Sequence, residues 1–498
     1  MKICVLGLGY IGLPTAGMLA THGFEVIGVD INDQVVGTLS NGDVHIKEPG
    51  LRTLVQAGLM SGNLRATRKP EHADVFIIAV PTPLRSAPGS IGISDSKRPE
   101  DRPSADLSYV ATAAESIVSY LRPGNLVILE STVPPRTTTD VLVPILENSG
   151  IPSSKDSVIA NSFRPQTPDP NGRNLERQDF YSPDDELHSA LSTRVNEIYV
   201  AHCPERVLPG KILEELVHND RVIGGVCPTA AQMAKALYTS FVEGSIWLTD
   251  ATTAELVKLM ENTYRDVNIA LANEFALVAE RVGIDVFEAT MLANRHPRVN
   301  ILEPGPGVGG HCIAVDPWFV IQSASDITSL IQCARKVNDG MPAYVVLQVK
   351  KAITAAFGDK PKRDSSQITI ACLGLAYKAD IDDVRESPAL TIIQLLKSEG
   401  FTIRVYDPHV PTGMVADQAN SLDETVQGAD VLLMLTGHKE FRNLGPDELS
   451  GFDGEIIIDT RNILPLDQWR SMGMIVMQLG TPGPLSNSDL ISVNVDLR

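Results

Sequence analysis

The residues best placed to do chemistry lie in the stretch Gly305-Pro306-Gly307-Val308-Gly309-Gly310-His311-Cys312-Ile313-Ala314-Val315-Asp316-Pro317. Glycine loses more conformational entropy on folding than any other residue, so such a run marks a place where a ligand or a second backbone tolerates no side chain. This one ends at a single thiol, Cys312, with a carboxylate four positions on at Asp316. A thiolate held there can attack a bound carbonyl. Further upstream, Lys258 and Asn262 are spaced four residues apart. On a helix they share one face and could address one ligand. Their neighbours Leu256, Val257, Leu259 and Met260 imply that this part of the helix is buried. A buried ammonium needs a partner, which favours a functional role over an ordinary exposed pair.

These groups need a scaffold, and the N-terminus supplies one. Lys2 to Leu6 reads as an apolar strand and runs directly into Gly7-x-Gly9-x-x-Gly12. A helix follows from about Leu13 to Thr21, and a second strand, Phe24 to Val29, ends in Asp30. This is a dinucleotide-binding fingerprint in its required context. The first glycine makes the turn, the second admits a pyrophosphate with Tyr10 and Ile11 beside it, and the third packs helix on strand. Asp30 stands where an acid binds the ribose hydroxyls. Ile31-Asn32-Asp33 offers no arginine for a 2′-phosphate, so NAD is favoured over NADP. Two further strands, Asp74 to Val80 and Asn125 to Glu130, end in polar tips that carry Thr82, Ser131 and Thr132. Ligands of doubly wound sheets sit at such carboxyl ends, although each hydroxyl could equally cap a turn.

A second α/β unit starts near Gln367. Strands are expected at Ile368 to Leu373, Thr402 to Tyr406, Asp430 to Leu435 and Glu455 to Asp459, with a helix from Ser387 to Ser398. "ADVFIIAVPTP" in the first half is echoed by "ADVLLMLTGH" in the second. The second unit lacks the full glycine fingerprint, so it holds a different nucleotide or only a core. Between the halves, Thr252 to Val282 reads as one helix of about 45 Å, able to join domains and to offer a dimer face. The fold class is therefore α/β: two Rossmann-like doubly wound domains joined by a long central helix. Segments 85–105 and 153–196 are rich in Ser, Pro and charge and read as inserted surface loops.

The totals narrow the function. At 498 residues and 43% hydrophobic content the chain exceeds one core. A net charge of −19 argues against nucleic acid, whose affinity comes from clustered Lys and Arg. No apolar run approaches the roughly 20 residues of a membrane span. The six cysteines lie far apart and the N-terminus opens directly into the fingerprint, so a reducing, cytoplasmic compartment is expected. His311-Cys312 and His202-Cys203 lack the paired spacing of a zinc site, so no metal is expected. Cys203, Cys227, Cys333 and Cys372 read as inert core thiols.

In order along the chain stand "GLGYIGLP", "AHCPERVLPG", "NDRVIGG", "AELVKLMENTYRDVNIALANE", "GPGVGGHCIAVDPW" and "GLAYKADIDDVRESPA". With these motifs the sequence resembles the UDP-glucose/GDP-mannose dehydrogenase family, and "HCIAVDPW" is most similar to its UDP-N-acetyl-D-mannosamine branch. The resemblance implies NAD-dependent, four-electron oxidation of a UDP-sugar 6-hydroxyl to a carboxylate by a homodimer or larger homo-oligomer. Cys312 would be the nucleophile, and Asp316 would work with a bound water. Lys258 and Asn262 would stabilise oxyanions, Glu205 would be the hydrolytic base, and Thr132 would belong to the water network. Arg206, Val207, Leu208, Gly309, His296, Arg298, Lys378 and Arg461 would join Glu205, Lys258 and Asn262 in holding the substrate, with His296 and Arg298 reaching a partner subunit's site. Arg385 would lie near NAD. Many UDP-glucose enzymes carry a glutamate four residues after the base; here Pro209 stands there. The resemblance divides the chain into an NAD-binding domain (1–225), a central helical and dimerisation region with the cysteine loop (226–345), and a UDP-binding domain (346–498). UDP-N-acetylglucosamine and UDP-glucose remain alternative substrates. A hydroxyacid-type dehydrogenase needs neither the thiol nor the second fold. A silent NAD-sensing protein would have lost some of the five groups Cys312, Lys258, Asn262, Glu205 and Asp316, which are all present.

Overall fold

The computed structural model describes residues 1–85, 103–155, 196–358, 364–449 and 451–483. The reading of the two insertions as surface loops lies outside the described residues for 86–102 and 156–195. The chain forms two compact units: one runs to Glu261 and includes Trp318–Ser323, the other holds Asn262–Pro317 and the chain from Ala324 onward.

The first unit is built on β1 (Lys2–Leu6), β2 (Glu25–Val29), β3 (Leu64–Thr67), β4 (Val75–Ile78), the short pair β5 (Leu84–Arg85) and β6 (Ser104–Ala105), β7 (Leu126–Leu129), β8 (Tyr199–His202), β9 (Arg221–Gly225) and β10 (Ile246–Asp250). All but β5 and β6 form one sheet in the order β10-β9-β8-β7-β4-β1-β2-β3. Its neighbours are parallel except β8 and β9. Alternate residues feed two cores. Ile3 and Val5 pack with Leu13 and Leu19 on one side, while Cys4 and Leu6 pack with Val110 and Ile117 on the other. Both faces are covered, as a parallel sheet requires. β5 and β6 pair antiparallel at the root of the first insertion.

The second unit carries β11 (Thr369–Leu373), β12 (Thr402–Tyr406), β13 (Val431–Met434), β14 (Ile456–Asp459) and β15 (Ile475–Gln478). They form a fully parallel sheet in the order β12-β11-β13-β14-β15. Pro388–Ser398 is a helix whose N-cap, Ser387, accepts from the Ala389 amide. The long helix Ala251–Val282 begins in the first unit and ends in the second. Lys258 and Asn262 are buried on it, at 8% and 7% exposure. The neighbours cited for that burial divide: Leu259 is buried, but Leu256 and Met260 are exposed, Met260 at 59%. The helix therefore shows one polar-lined buried face and an apolar outer stripe that continues through Tyr264, Leu271, Phe275 and Val278. No helix among the described residues is long and apolar enough to cross a membrane.

A line of buried polar groups ties this helix to the second long helix, Ser329–Phe357, and to the glycine loop. Arg335 donates to Asp266 Oδ1 at 2.6 Å. Asn338 Nδ2 donates to the same oxygen at 2.8 Å. Asn273 donates to Asn338 at 2.9 Å, and Asn273 Oδ1 accepts the Gly305 amide at 2.9 Å. Asp266 and Asn273 are fully buried. Removing one partner of a buried ion pair typically costs about 3–5 kcal/mol because the other charge is stranded. Asp266→Ala is therefore expected to lower stability on that order, measured by denaturant unfolding of the full chain. A change below about 1 kcal/mol would show that Asp339, which also pairs with Arg335, suffices alone.

Candidate active site

In the first unit the three fingerprint glycines each have a separate reason to be glycine. Gly7 lies at φ +92°, and a Cβ there would meet the Ala79 carbonyl oxygen at 2.5 Å. A Cβ on Gly12 would lie 1.9 Å from the Gly7 oxygen. A Cβ on Gly9 would meet nothing within 4 Å among the described residues, so its space is open. This is the cradle a pyrophosphate needs, at the start of the helix Gly12–Thr21 and with Tyr10 and Ile11 on its turn. Asp30 Oδ2 accepts the Leu8 amide at 3.0 Å, which fixes the turn to the ribose acid. The Thr82 hydroxyl donates to the Thr132 carbonyl at 2.6 Å and Ser131 to the Val80 carbonyl at 2.7 Å. Both hydroxyls thus brace the tips of β4 and β7, and their remaining capacity is as acceptors.

Glu205 is buried and follows β8. Its Oε1 accepts the Arg206 amide at 2.5 Å, and Arg221 donates to its Oε2 at 3.5 Å. The Arg206 guanidinium pairs with Glu261, and the Leu208 amide donates to Glu215 at 2.6 Å. The segment Glu205-Arg206-Val207-Leu208 is therefore held by side chains rather than by a regular element. No carboxylate lies within ion-pair reach of the buried Lys258 among the described residues, so a structural pairing finds no partner there.

In the second unit the Cys312 carbonyl accepts the amides of Val315 and Asp316 at 3.0 and 2.8 Å, a tight turn that opens the helix Asp316–Ser323. Asn262 Nδ2 donates to the buried Asp316 carboxylate at 2.6 Å. Two candidates thus meet directly, and one amide hydrogen of Asn262 is committed to orienting Asp316. The glycine loop lies flush against its surroundings. A Cβ on Gly309 would meet the Glu386 oxygen at 2.5 Å and Tyr377 Cβ at 2.7 Å, and one on Gly310 would meet the Tyr377 ring. A Cβ on Gly305 would meet Arg461 Nη1 at 2.7 Å. Arg461 donates to the Leu435 carbonyl at 2.9 Å. Burial pulls its pKa down to about 10 against the pull of Asp459 and Glu303. A guanidinium so poorly compensated suits an added anion. Arg385 pairs with Asp383 and its carbonyl accepts the Gly310 amide at 3.0 Å. Lys378, His296 and Arg298 are exposed.

The second fold is not a second dinucleotide site. Gly374, at φ +95°, repeats the turn of Gly7, but the position of Gly9 is taken by buried Ala376. The acid matching Asp30 is Asp407, and it is buried. It accepts the Leu375 and Ala376 amides at 2.6 and 3.1 Å and His438 Nε2 at 3.0 Å. Burial opposes its charge, yet these hydrogen bonds hold its carboxyl well below the usual carboxylate range. His438 fills the ribose position from within the protein.

Sequence reasoning reaches the segments that hold Tyr377, His438, Arg221 and Glu130 but gives these four residues no role. Cys333 is exposed and not the core thiol expected, because it faces outward on the helix Ser329–Phe357. Burial pushes the thiols of Cys203 and Cys372 up to about 12, so both are inert. Asp380, His409, His438 and Glu440 cluster, but His438 is engaged at both ring nitrogens and His409 faces Glu440 at 3.2 Å. The cluster reads as imidazole–carboxylate pairing.

The chain matches the UDP-glucose/GDP-mannose dehydrogenase family in three segments: its NAD binding domain over residues 1–162 and 183–242, its central domain over 252–340 and its UDP binding domain over 371–466. It is 46% identical over 483 residues to a UDP-N-acetyl-D-mannosamine dehydrogenase of Methanocaldococcus jannaschii, covering 96% of each chain. It is 43% identical over 465 residues to an NDP-N-acetyl-D-galactosaminuronic acid dehydrogenase of Ralstonia nicotianae, covering 93% of this chain and 96% of the other. The solved UDP-D-ManNAc dehydrogenase of Pyrococcus horikoshii superposes with a TM-score of 0.79 at 39% identity, covering 96% of this chain and 99% of that one.

The glycine geometry separates binding from folding. Gly9→Ala should weaken NAD binding about tenfold or more while leaving Tm unchanged, because its Cβ enters only the open cradle. Gly12→Ala should destabilise the protein by about 1–3 kcal/mol through overpacking against Gly7. Titration calorimetry with NAD and thermal unfolding of both variants check this; identical losses in both variants would contradict it.

Proposed function

The chain belongs to the UDP-glucose/GDP-mannose dehydrogenase family and is an NAD-dependent UDP-sugar dehydrogenase, and we propose that it oxidises the 6-hydroxyl of UDP-N-acetyl-D-mannosamine to the mannosaminuronate. The observation that carries the reading is the glycine loop: it ends at Cys312 and lies on Arg461, a half-buried guanidinium short of counter-charge. A diphosphate supplies that charge, and a thiol nearby in sequence supplies the covalent step. The names of the relatives and the departure at Pro209 favour the N-acetylmannosamine substrate over UDP-glucose and UDP-N-acetylglucosamine.

NAD bound at the Gly9 cradle would accept a hydride at each of two oxidations. The residues supply the rest. The 6-hydroxyl loses a proton and a hydride to give an aldehyde. The Cys312 sulfur adds to the aldehyde carbon, and the thiohemiacetal formed loses a second proton and hydride to become a thioester. Water adds to the acyl carbon, its proton passes to Glu205, and the carbon–sulfur bond breaks to return the thiolate. Negative charge develops on the sugar oxygen at every stage, where the Lys258 ammonium is of use. Asn262 orients Asp316, which handles a bound water.

We infer that the apolar outer stripe of Ala251–Val282 meets a second copy of the chain, and that the exposed His296 and Arg298 serve that copy's substrate. Six cysteines that form no disulfide fit a cytoplasmic enzyme.

Each UDP-N-acetyl-D-mannosamine should yield two NADH and one uronate, measured by absorbance and product mass, against UDP-glucose and UDP-N-acetylglucosamine as rivals. One NADH with free aldehyde would reject the four-electron course. Cys312→Ala should abolish acid formation. Lys258→Ala should lower kcat by roughly 10²–10³ with NAD affinity and fold retained; an unfolded variant would make Lys258 structural. Asp30→Gly with Ile31→Arg should move preference toward NADP, and comparable kcat/KM for both cofactors in the native protein would contradict the role of Asp30.

A further inference from the structure

One buried charge cluster in the first unit surrounds Glu205, and its other members have no part in the course above. Arg221 opens β9 and is 5% exposed. Its Nη2 donates to Glu205 Oε2 at 3.5 Å and its Nη1 to Cys203 Sγ at 3.6 Å. The guanidinium lies over the Tyr238 ring, 4.7 Å from its centroid, and 5.7 Å from that of Phe241. The Tyr238 hydroxyl donates to Glu130 Oε1 at 2.6 Å. Glu130, 1% exposed, also accepts from Thr15 at 3.4 Å. Thr15 belongs to the helix Gly12–Thr21 that begins at the NAD cradle. One cation thus serves Glu205 directly and Glu130 through Tyr238.

Such a group is a poor stability device, because desolvating the charges offsets most of their attraction. It is a good orienting device. A guanidinium is a rigid planar fork, and this one spans Glu205 and Cys203 with its two terminal nitrogens, which a lysine point charge does not do. Glu205 is gripped at both oxygens, by the Arg206 amide and by Arg221, so its direction is set before substrate arrives. Burial pushes the Glu130 carboxyl up to about 7, and Arg221 opposes that rise. Burial likewise opposes the charge of Arg221, yet Glu205 and its other neighbours hold it above its usual range, so the cation persists.

We propose that Arg221 is the positioning residue for Glu205, with Tyr238 and Glu130 holding the fork in place. The inference rests on the reading of Glu205 as hydrolytic base. Its consequence falls on one step alone. Water attacks the acyl carbon, Glu205 takes the water's proton, and Cys312 leaves as thiolate; the two oxidations before it need no aligned Glu205.

The test compares Arg221→Gln, Arg221→Lys, Glu205→Gln and native enzyme, each with saturating NAD and UDP-N-acetyl-D-mannosamine. NADH release is followed in the transient phase, and the covalent state of the chain by intact mass. Both Arg221 variants are expected to release a burst of two NADH per subunit and then turn over about 10²-fold more slowly. The acylated chain should accumulate, and KM for the sugar should stay within about threefold of native, since ground-state binding is untouched. Arg221→Lys should not rescue. Native turnover in a folded Arg221 variant overturns the proposal. So does slowed turnover without burst and adduct, which would mark a general structural role, and so does failure of both variants to fold. If Glu205→Gln itself shows no adduct, the base reading fails and the positioning role with it. An adduct in Glu205→Gln but in neither Arg221 variant removes the positioning role alone.

Discussion

The amide of Gly305 must be taken by a buried acceptor, and much of the second unit is arranged around that requirement. A glycine loop that lies flush on its surroundings exposes backbone to a dry interior, where an unpaired amide is costly. Asn273 accepts it, Asn338 holds Asn273, and Asp266 with Arg335 holds Asn338. The line fixes the register between the two long helices as well as the height of the loop. Cys312 follows seven positions after Gly305, past Gly309 and Gly310, which lie against Tyr377. The thiol is therefore placed by hydrogen bonding at one end of the loop and by steric contact at the other.

The two sheets show how little separates a dinucleotide cradle from a plain core. Both begin with a glycine at nearly the same φ, +92° at Gly7 and +95° at Gly374. Both end the second strand in an acid that reaches back to the turn. Asp30 leaves an open space over Gly9. Asp407 is buried under His438, and Ala376 fills the place of that glycine. One methyl and one imidazole separate this turn from an open cradle.

The fold was legible from periodicity and punctuation. Short apolar runs give eight of the fifteen described strands to within one or two positions, and the long helix to within one at its start; the others, β3, β8, β9, β10 and β15 among them, are not read from the sequence. The fingerprint was legible because each glycine answers a local steric demand. The burial of Lys258 follows from only part of its apolar surroundings: Leu259 is buried with it, while Leu256 and Met260 are exposed. Arg221, Glu130 and Tyr238 are scattered over more than a hundred positions and were not legible, since their meaning lies in a packing that sequence spacing does not encode. His438 was invisible for the same reason. Cys333 departs from the core reading because residue type alone does not say which side of a helix a cysteine takes.

Buried charge in this protein recurs where irregular backbone has to be held. Glu255, on the long helix, accepts the amides of Arg136 and Thr138 beyond the β7 tip, at 2.5 and 2.7 Å. Burial pushes its carboxyl up to about 7 while those hydrogen bonds pull it back. Asp266 acts through two asparagines on Gly305. Arg221 acts on Glu205, whose own segment has no regular element. Apolar packing cannot do this work, because it is non-directional and leaves loop amides unpaired. A polar network that is well satisfied specifies one geometry at little net gain in stability. The chain spends such networks on the segments that carry Thr132, Glu205 and Cys312, and leaves its sheets to Val, Ile and Leu. The buried charges that cost most to desolvate thus stand beside the segments that hold the candidate site residues.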